Sequence, residues 1–156
     1  MSNSRETIYQ ALWALTASLG PASLSPVITV ATSYSRRLVM YDKLPAENFP
    51  ALFQVQTGER PHKETGKPPL LCLTADWVLY TSTGADTDLV TSSAFNPILD
   101  ALEACLVPKP GYGRQTLGGL VYDARWTGEV LTTEGLLGNI AVNILPLQVF
   151  VPEGFK

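Results

Sequence analysis

The stretch Gln115–Pro152, QTLGGLVYDARWTGEVLTTEGLLGNIAVNILPLQVFVP, decides the fold. Apolar and polar residues alternate in two parts of it, and a side-chain period of two is typical of a strand with one buried face. The pattern predicts a first strand from about Leu117 to Thr132 and a second from about Asn139 to Val151. The connection, Thr133–Asn139, contains two glycines and an asparagine, residues that turns require. The stretch therefore predicts a long β-hairpin.

The two faces of this hairpin differ in chemistry. The first strand has an apolar row and an opposite, polar row, the latter formed by Asp123, Arg125, Thr127 and Glu129. In the second strand the alternation changes phase near Pro146. Proline cannot donate a hydrogen bond to a neighbouring strand, so a bulge or an edge position is expected at Pro146.

Two helices are predicted upstream of the hairpin. The first begins at Ser4, a good N-cap, with Glu6 in its first turn, and ends at Gly20-Pro21. Trp13 lies off the apolar face of this helix, so either a second element covers it or it forms a subunit contact. The second helix follows a polar loop at 82–93, with Thr91, Ser92 or Asn96 as its cap. Its apolar face is formed by Phe95, Ile98, Leu99, Leu102 and Leu106.

Three further segments have strand character: Val27–Thr32, Phe49–Gln56 and Leu70–Ser82. Between the last two, residues 57–69 are rich in charge, glycine and proline, which predicts a long mobile loop. Short connections between strands favour antiparallel pairing. The chain is therefore expected to form a single α+β domain over residues 1–156. Its architecture would be a two-layer sandwich of two helices on a mainly antiparallel sheet that ends in the hairpin.

Composition limits the classes of function. With 46% hydrophobic residues the chain has enough apolar surface for a core, whereas its net charge of −3 argues against a nucleic-acid-binding protein. The sequence contains no run of 18 apolar residues, so no membrane-spanning helix is predicted. The N-terminal residues lack the pattern of a secretory signal. Cys72 and Cys105 lie in apolar segments and are expected to be free thiols.

No combination of residues predicts catalysis or metal binding. The only histidine, His62, falls in the charged loop and is expected to be solvated. The acidic pairs Asp86 with Asp88 and Glu129 with Glu134 have polar neighbours, whereas acid–base catalysis requires one carboxyl in an apolar pocket. Gly111–Arg114 resembles part of a phosphate-binding loop but precedes a strand rather than a helix. We therefore expect neither an enzyme nor a bound cofactor.

Several short motifs together resemble the tail-completion, or tail terminator, proteins of tailed bacteriophages. The resemblance covers about residues 28–152. It rests on five stretches: Tyr34-Ser35-Arg36-Arg37-Leu38, Leu44-Pro45-Ala46, Phe49-Pro50-Ala51-Leu52-Phe53, Lys67-Pro68-Pro69 and Leu117-Gly118-Gly119-Leu120-Val121. Gly128-Glu129, Glu134-Gly135 and the closing strand through Ile144-Leu145-Pro146-Leu147 follow the same pattern.

The resemblance implies an α+β subunit of a homohexameric ring at the head-proximal end of the virion tail, assembled in the host cytoplasm. Its partners would be the tail tube protein and the head–neck connector protein, while DNA passes through the lumen without specific binding. The family supplies no catalytic residues. Charged residues of the hairpin and of the 57–69 loop are the hypothetical assembly interface: Arg60, Lys63, Lys67, Arg125, Glu129 and Glu134.

Two alternatives stay open. The chain resembles proteins that act close together in one machine, so a head-completion or neck connector subunit is the nearest alternative. A small-ligand or nucleotide-binding module that uses Gly111–Arg114 is an alternative of another class.

Overall fold

The computed structural model describes residues 4–19, 33–86, 88–108 and 110–152. Both helices pack on one face of a six-stranded sheet, which confirms the predicted α+β fold. Short 3₁₀ turns lie at Ala17–Leu19, Tyr41–Lys43 and Ala46–Asn48. The helices and strands are α1 (Arg5–Ala14), β1 (Ser33–Ser35), β2 (Ala51–His62), β3 (Leu70–Ser82), α2 (Thr91–Leu106), β4 (Asp123–Trp126), β5 (Leu131–Leu137) and β6 (Ile140–Pro152).

The two longest strands, β3 and β6, form the centre of the sheet. They pair antiparallel along their whole length, from Leu70 opposite Pro152 to Ser82 opposite Ile140. The sheet order is β1-β2-β3-β6-β4, and β5 pairs with the same edge of β6 as β4. Among the described strands, only β1 and β2 pair in parallel, so the prediction of a mainly antiparallel sheet is confirmed. The limits predicted for β3 are also correct.

The first strand of the predicted hairpin is not continuous, which corrects the prediction of one strand over 117–132. Trp126 of β4 lies opposite Leu147, and Leu131 of β5 lies opposite Ile144. Four residues, 127–130, therefore lie opposite only two residues of β6. Residues 117–122 form turns rather than strand. The strand is interrupted because the extra residues cannot all pair with β6.

Pro146 lies at this interruption. Of the two alternatives predicted for Pro146, a bulge is wrong for the pairing with β3, which passes through Pro146 without a shift of register, whereas the broken edge between β4 and β5 agrees with an edge position. The Pro146 carbonyl accepts a hydrogen bond from the Thr127 amide at 3.0 Å. In a strand, the N–H and C=O of one residue point to the same neighbour. The missing N–H of Pro146 therefore faces the gap between β4 and β5, where no donor is needed.

The turn of the hairpin is shorter than predicted. Residues 133–137 belong to β5, and only Gly138-Asn139 connects β5 to β6. Gly138 has φ +68°, a conformation that favours glycine at a two-residue turn.

The N-terminal helix begins as predicted, and it is fastened to the sheet by a buried polar chain. The Ser4 hydroxyl accepts a hydrogen bond from the Thr7 amide. The Gln54 amide, 2% exposed, donates to the Tyr9 carbonyl of α1 and accepts from the Trp77 indole of β3. Trp13 stacks on the Tyr34 ring at 4.1 Å, so a second element covers it. The predicted helix end at Gly20-Pro21 and the strand at Val27–Thr32 lie outside the described residues.

The second helix has the predicted position but not the predicted cap. Val90 occupies the N-cap position and makes no side-chain cap hydrogen bond. The Glu134 carboxylate of β5 instead accepts a hydrogen bond from the Ser92 amide at 2.8 Å. A carboxylate at a helix N-terminus satisfies a free amide and interacts favourably with the helix dipole. The apolar face of α2 packs on the sheet as predicted.

The region predicted as a mobile loop over 57–69 is strand in its first half. Strand β2 continues through His62, so the connection to β3 is limited to residues 63–69. A register shift near Gly58 accommodates the charged and turn-forming residues of this segment. His62 is therefore not a solvated loop residue: it ends β2 and is half-buried, with its ring 4.9 Å from that of Phe150.

Candidate assembly surface

The face of the sheet turned away from α1 and α2, here called the outer face, is covered by described residues only at one end. Near the C-terminal end of β3, Val78 and Tyr80 join a small apolar cluster with residues of the 41–49 segment. The Tyr41 ring meets the edge of the Tyr80 ring with centroids 6.2 Å apart. Val142 and Ile144 of β6 pack against this cluster, which explains why the alternation in β6 is unclear in the sequence.

The middle of the outer face carries an uncompensated carboxylate. Asp76 projects between Val55 of β2 and Pro146 of β6, its partners in the neighbouring strands. A trough of about 400 Å³ lies over it, lined also by Thr57, Thr74 and Gln148. Burial raises the pKa of Asp76, and although Glu59 and Arg60 also line the trough, Asp76 makes no hydrogen bond or ion pair within the described residues.

The far end of the outer face contains a larger concavity, here called the basic cleft. It has a volume of about 620 Å³ and lies at the N-terminal end of β3. Pro68, Pro69 and Leu70 supply an apolar wall, and Glu64 and Asp123 are its acidic members. The remaining main lining residues are cationic or aromatic: His62, Lys67, Arg114, Tyr122, Arg125 and Phe150.

Two arginines of the cleft lie over aromatic rings. The Arg114 guanidinium lies 4.1 Å from the centre of the Tyr122 ring, and the Arg125 guanidinium lies 4.5 Å from that of Phe150. Neither takes part in any ion pair within the described part of the chain. Stacking engages the face of a guanidinium but leaves the N–H groups on its rim available. Both side chains are thus oriented donors without a carboxylate partner.

Unlike the two arginines, the lysine and the histidine of the cleft are both bonded to a carboxylate. The Glu64 carboxylate accepts hydrogen bonds from Lys67 and from His62, the latter at 3.1 Å. Its pKa is lowered, first by the Lys67 hydrogen bond and then by that of His62. The same contact raises the pKa of Lys67. The free positive charge of the cleft is therefore concentrated on the two arginines.

The six residues predicted as an assembly interface do not form one group. Lys67 and Arg125 line the basic cleft, and Arg60 lies on the same face, opposite Cys72. Lys63 follows β2 and is exposed, while Glu129 is exposed in the interruption between β4 and β5. Glu134 bonds the α2 N-terminus. The structure thus brings three of the six to the cleft end of the outer face.

Both cysteines are free thiols, as predicted. Cys72 is fully buried at the cleft end of the sheet, and burial raises its pKa while the neighbouring Arg60 opposes this effect. Burial likewise raises the pKa of Cys105 in α2. Raised pKa values keep both groups protonated at neutral pH, a state in which they are poor nucleophiles.

Tyr122 and Phe150 of the cleft were not predicted from the sequence, and Arg114 was considered only as part of a weak phosphate-loop motif. Phe150 belongs to the closing apolar strand, and its cross-strand neighbours Asp123 and Arg125 become evident only from the register of β4 against β6. The sequence signal that could have indicated the cleft was an arginine and an aromatic residue able to pair across two strands.

No group of three or more metal-ligating side chains occurs among the described residues. Within the same part of the chain, no helix is long and apolar enough to cross a membrane. The chain matches no protein-family model, and a search of curated proteins returned no match.

Proposed function

We propose that the protein is a structural subunit of a bacteriophage tail, a tail terminator that forms a ring on the tail tube. The observation that carries this proposal is the asymmetry of the sheet. One face holds the helices and the main core, whereas the other presents a carboxylate trough and a cleft with unpaired arginines. Arginine and aromatic residues, which line the cleft, are enriched in interfaces between folded subunits.

The edges of the sheet support the same proposal. Among the described residues, β1 pairs only with Ala51–Phe53, so β2 has no strand beside its second half. Strand β5 likewise has no described strand on its outer side. Open edges supply backbone groups for a neighbouring subunit, and Pro61 together with the irregularity at Gly58 limits unspecific pairing. Two different edges of one chain favour a heterologous contact, which gives a ring when its rotation closes.

The ring would end the polymerisation of the tail tube and present a surface to the head–neck connector. DNA would pass through its lumen without being held. The net charge of −3 suits this role, because a strongly basic lumen would bind the phosphate backbone. The work is done by protein–protein contacts, without catalysis or a cofactor.

Interrupting the reading frame of this chain in the phage that carries it tests the proposal. Electron microscopy of the lysate should reveal full heads separated from tails of uncontrolled length, and the chain supplied from a plasmid should restore particles. Tails of normal length that fail to join heads would favour a neck connector instead. Normal particles would contradict both assignments.

A small-ligand module is the second candidate, because Arg114 of the Gly111–Arg114 segment lines the basic cleft together with Tyr122. An aromatic ring and an arginine are suited to a nucleotide base and its phosphate. A thermal-shift measurement with a panel of nucleotides tests this candidate. A concentration-dependent rise in melting temperature that Arg114→Ala removes would establish it, and the lack of any rise would eliminate it.

A further inference from the structure

The two unpaired arginines of the basic cleft call for a ligand that has carboxylates beside apolar groups. A guanidinium stacked on a ring is held in place, so it binds a carboxylate with little further loss of conformational freedom. Arg114 and Arg125 are both held in this way. The wall formed by Pro68, Pro69 and Leu70 adds an apolar surface next to these charges. A free inorganic anion would leave that wall unused.

The chain itself carries a segment with this chemistry in the loop between β3 and α2. Asp86 and Asp88 are exposed there, and the next two side chains, Leu89 and Val90, are apolar but 47% and 61% exposed. One oxygen of the Asp86 carboxylate accepts hydrogen bonds from the amides of Asp88 and Leu89. This local bonding orders the turn, and it leaves the Asp88 carboxylate free of any partner within the described residues. These four residues are called the acidic knob.

The acidic knob cannot reach the cleft of its own molecule. The cleft lies at Leu70, where β3 begins, and the knob follows Ser82, where β3 ends. At about 3.3 Å per residue, the length of β3 separates them by roughly 40 Å. A second copy of the chain can supply the knob to the cleft. The resulting contact joins two different surfaces, so each subunit can bind one neighbour at each end.

We infer that the acidic knob of one subunit docks in the basic cleft of the next and forms the contact between neighbouring subunits of the ring. This inference rests on the proposed function for the ring, but the contact itself is defined by the two surfaces. A nucleic-acid backbone would leave the apolar wall of the cleft, formed by Pro68, Pro69 and Leu70, without a partner, whereas the knob offers apolar side chains beside its carboxylates. The apolar knob residues Leu89 and Val90 also gain burial only from a protein surface.

Charge exchange tests the contact in the full chain. Self-association is measured by sedimentation over a wide concentration range for Arg125→Glu, Asp88→Arg and the double variant. Each single reversal should weaken association at least tenfold, whereas the double variant should recover most of the loss because the pair is re-formed with opposite signs. Arg114→Glu should behave like Arg125→Glu, which guards against an effect of Arg125 on folding.

Arg37→Glu and Asp100→Arg are the matched controls, since both residues are exposed and lie outside the knob and the cleft. The controls should associate like the unchanged chain. The inference would be overturned if the single reversals weaken self-association no more than these controls do. It would also be overturned if the double variant recovers none of the lost self-association.

A disulfide test detects the contact if self-association is too weak to measure by sedimentation. Leu89→Cys and Pro68→Cys, which keep every charge of the contact, are placed in separate chains that also carry Cys105→Ser, and the two are mixed at high concentration under mild oxidation. A disulfide between the two chains should form faster than in a mixture with Arg37→Cys in place of Pro68→Cys. Equal rates, with no self-association of the unchanged chain, would overturn the inference. If phage carrying Arg125→Glu still makes tails of normal length that join heads, the knob–cleft contact is wrong but the proposed function stands. If phage that lacks the chain makes normal particles, the proposed function itself is wrong.

Discussion

Trp77 and Asp76 are neighbours in β3, yet they lie on opposite faces of the sheet and in opposite physical states. Trp77 is fully buried against the helices, and its indole N–H donates to Gln54. Asp76 faces the outer trough without a hydrogen-bond or ion-pair partner among the described residues, and burial raises its pKa. The inner face thus buries its central indole and amide in mutual hydrogen bonds, although Thr81, Trp126 and Asn143 each keep one buried polar atom without a partner in the described part of the chain, whereas the outer face presents unpaired charges. The inner face supplies stability, and the outer face retains unpaired groups for association.

The largest expected effect of a single change to a polar side chain is on the inner face. Gln54→Ala removes both hydrogen bonds of the buried amide and leaves the buried Trp77 N–H without its partner. An orphaned buried group costs about 1–3 kcal/mol, and we expect a loss of that size in the free energy of unfolding. Urea denaturation measures it.

Gln56→Ala is the control for that experiment, because Gln56 lies on the same strand but is exposed. Its effect should stay within about 0.5 kcal/mol. Similar losses for the two variants would show that the buried amide has no special part in the core.

A smaller effect separates a structural role for Glu134 from a role in assembly. Glu134→Ala removes the carboxylate that bonds the Ser92 amide at the start of α2. Loss of a helix cap costs about 1 kcal/mol, and thermal or urea unfolding should detect this change. Glu129→Ala, in the exposed interruption of the edge strand, should leave stability unchanged. If the Glu134→Ala chain is as stable as the unchanged chain, Glu134 does not cap α2 to a measurable extent, and its predicted role in the assembly interface becomes the better explanation.

On the outer face, stability and association should separate. Arg125→Ala loses the contact of the guanidinium with the Phe150 ring, which at an exposed site contributes about 0.5–1 kcal/mol. We therefore expect a small loss of stability but a marked loss of self-association, measured by sedimentation. A chain that becomes much less stable would place Arg125 among the residues that hold the fold.

The smallest effect is a dependence on pH at Asp76. Burial raises the folded-state pKa of Asp76 above its ordinary value of 3.8, so the folded state binds this proton more tightly than the unfolded state. The charged carboxylate thus lowers stability as pH rises through that raised pKa. Asp76→Asn should be as stable as the unchanged chain at acid pH and more stable at neutral pH, as measured by urea unfolding.

The sign of this difference is decisive for Asp76. An Asn variant that is less stable at neutral pH would mean that the carboxylate has a favourable partner in the free chain. Asp100→Asn, at an exposed position of α2, is the matched control.

The core elements were predictable because their patterns are local. Strand β3 alternates without interruption, and α2 repeats its apolar residues at helical spacing, so the sequence predicted both positions. The second half of β2 was missed because Gly58, Pro61 and several charges read as a loop, whereas an open edge with an irregular register accepts all of them.

The interruption of the hairpin and the cleft depend on register, which is a long-range property. The mismatch at Pro146, where four residues lie opposite two, cannot be inferred from the sequence of either strand alone. Arg125 was selected by its charge, but its contact with Phe150 exists only because β4 pairs with that part of β6. The same register places Asp123 in the cleft. Charge could therefore be predicted, but not the aromatic partners that orient it.

The central claim is that the outer face is covered when the protein assembles and that the helical face holds the fold. Hydroxyl-radical footprinting of the dilute chain and of the chain on isolated phage tails tests this claim most directly. Tyr122 in the cleft and Leu89 of the acidic knob, 46% and 47% exposed in the free chain, should become protected. Unchanged reactivity at both residues, with protection confined to exposed positions of α1 and α2, would contradict the claim.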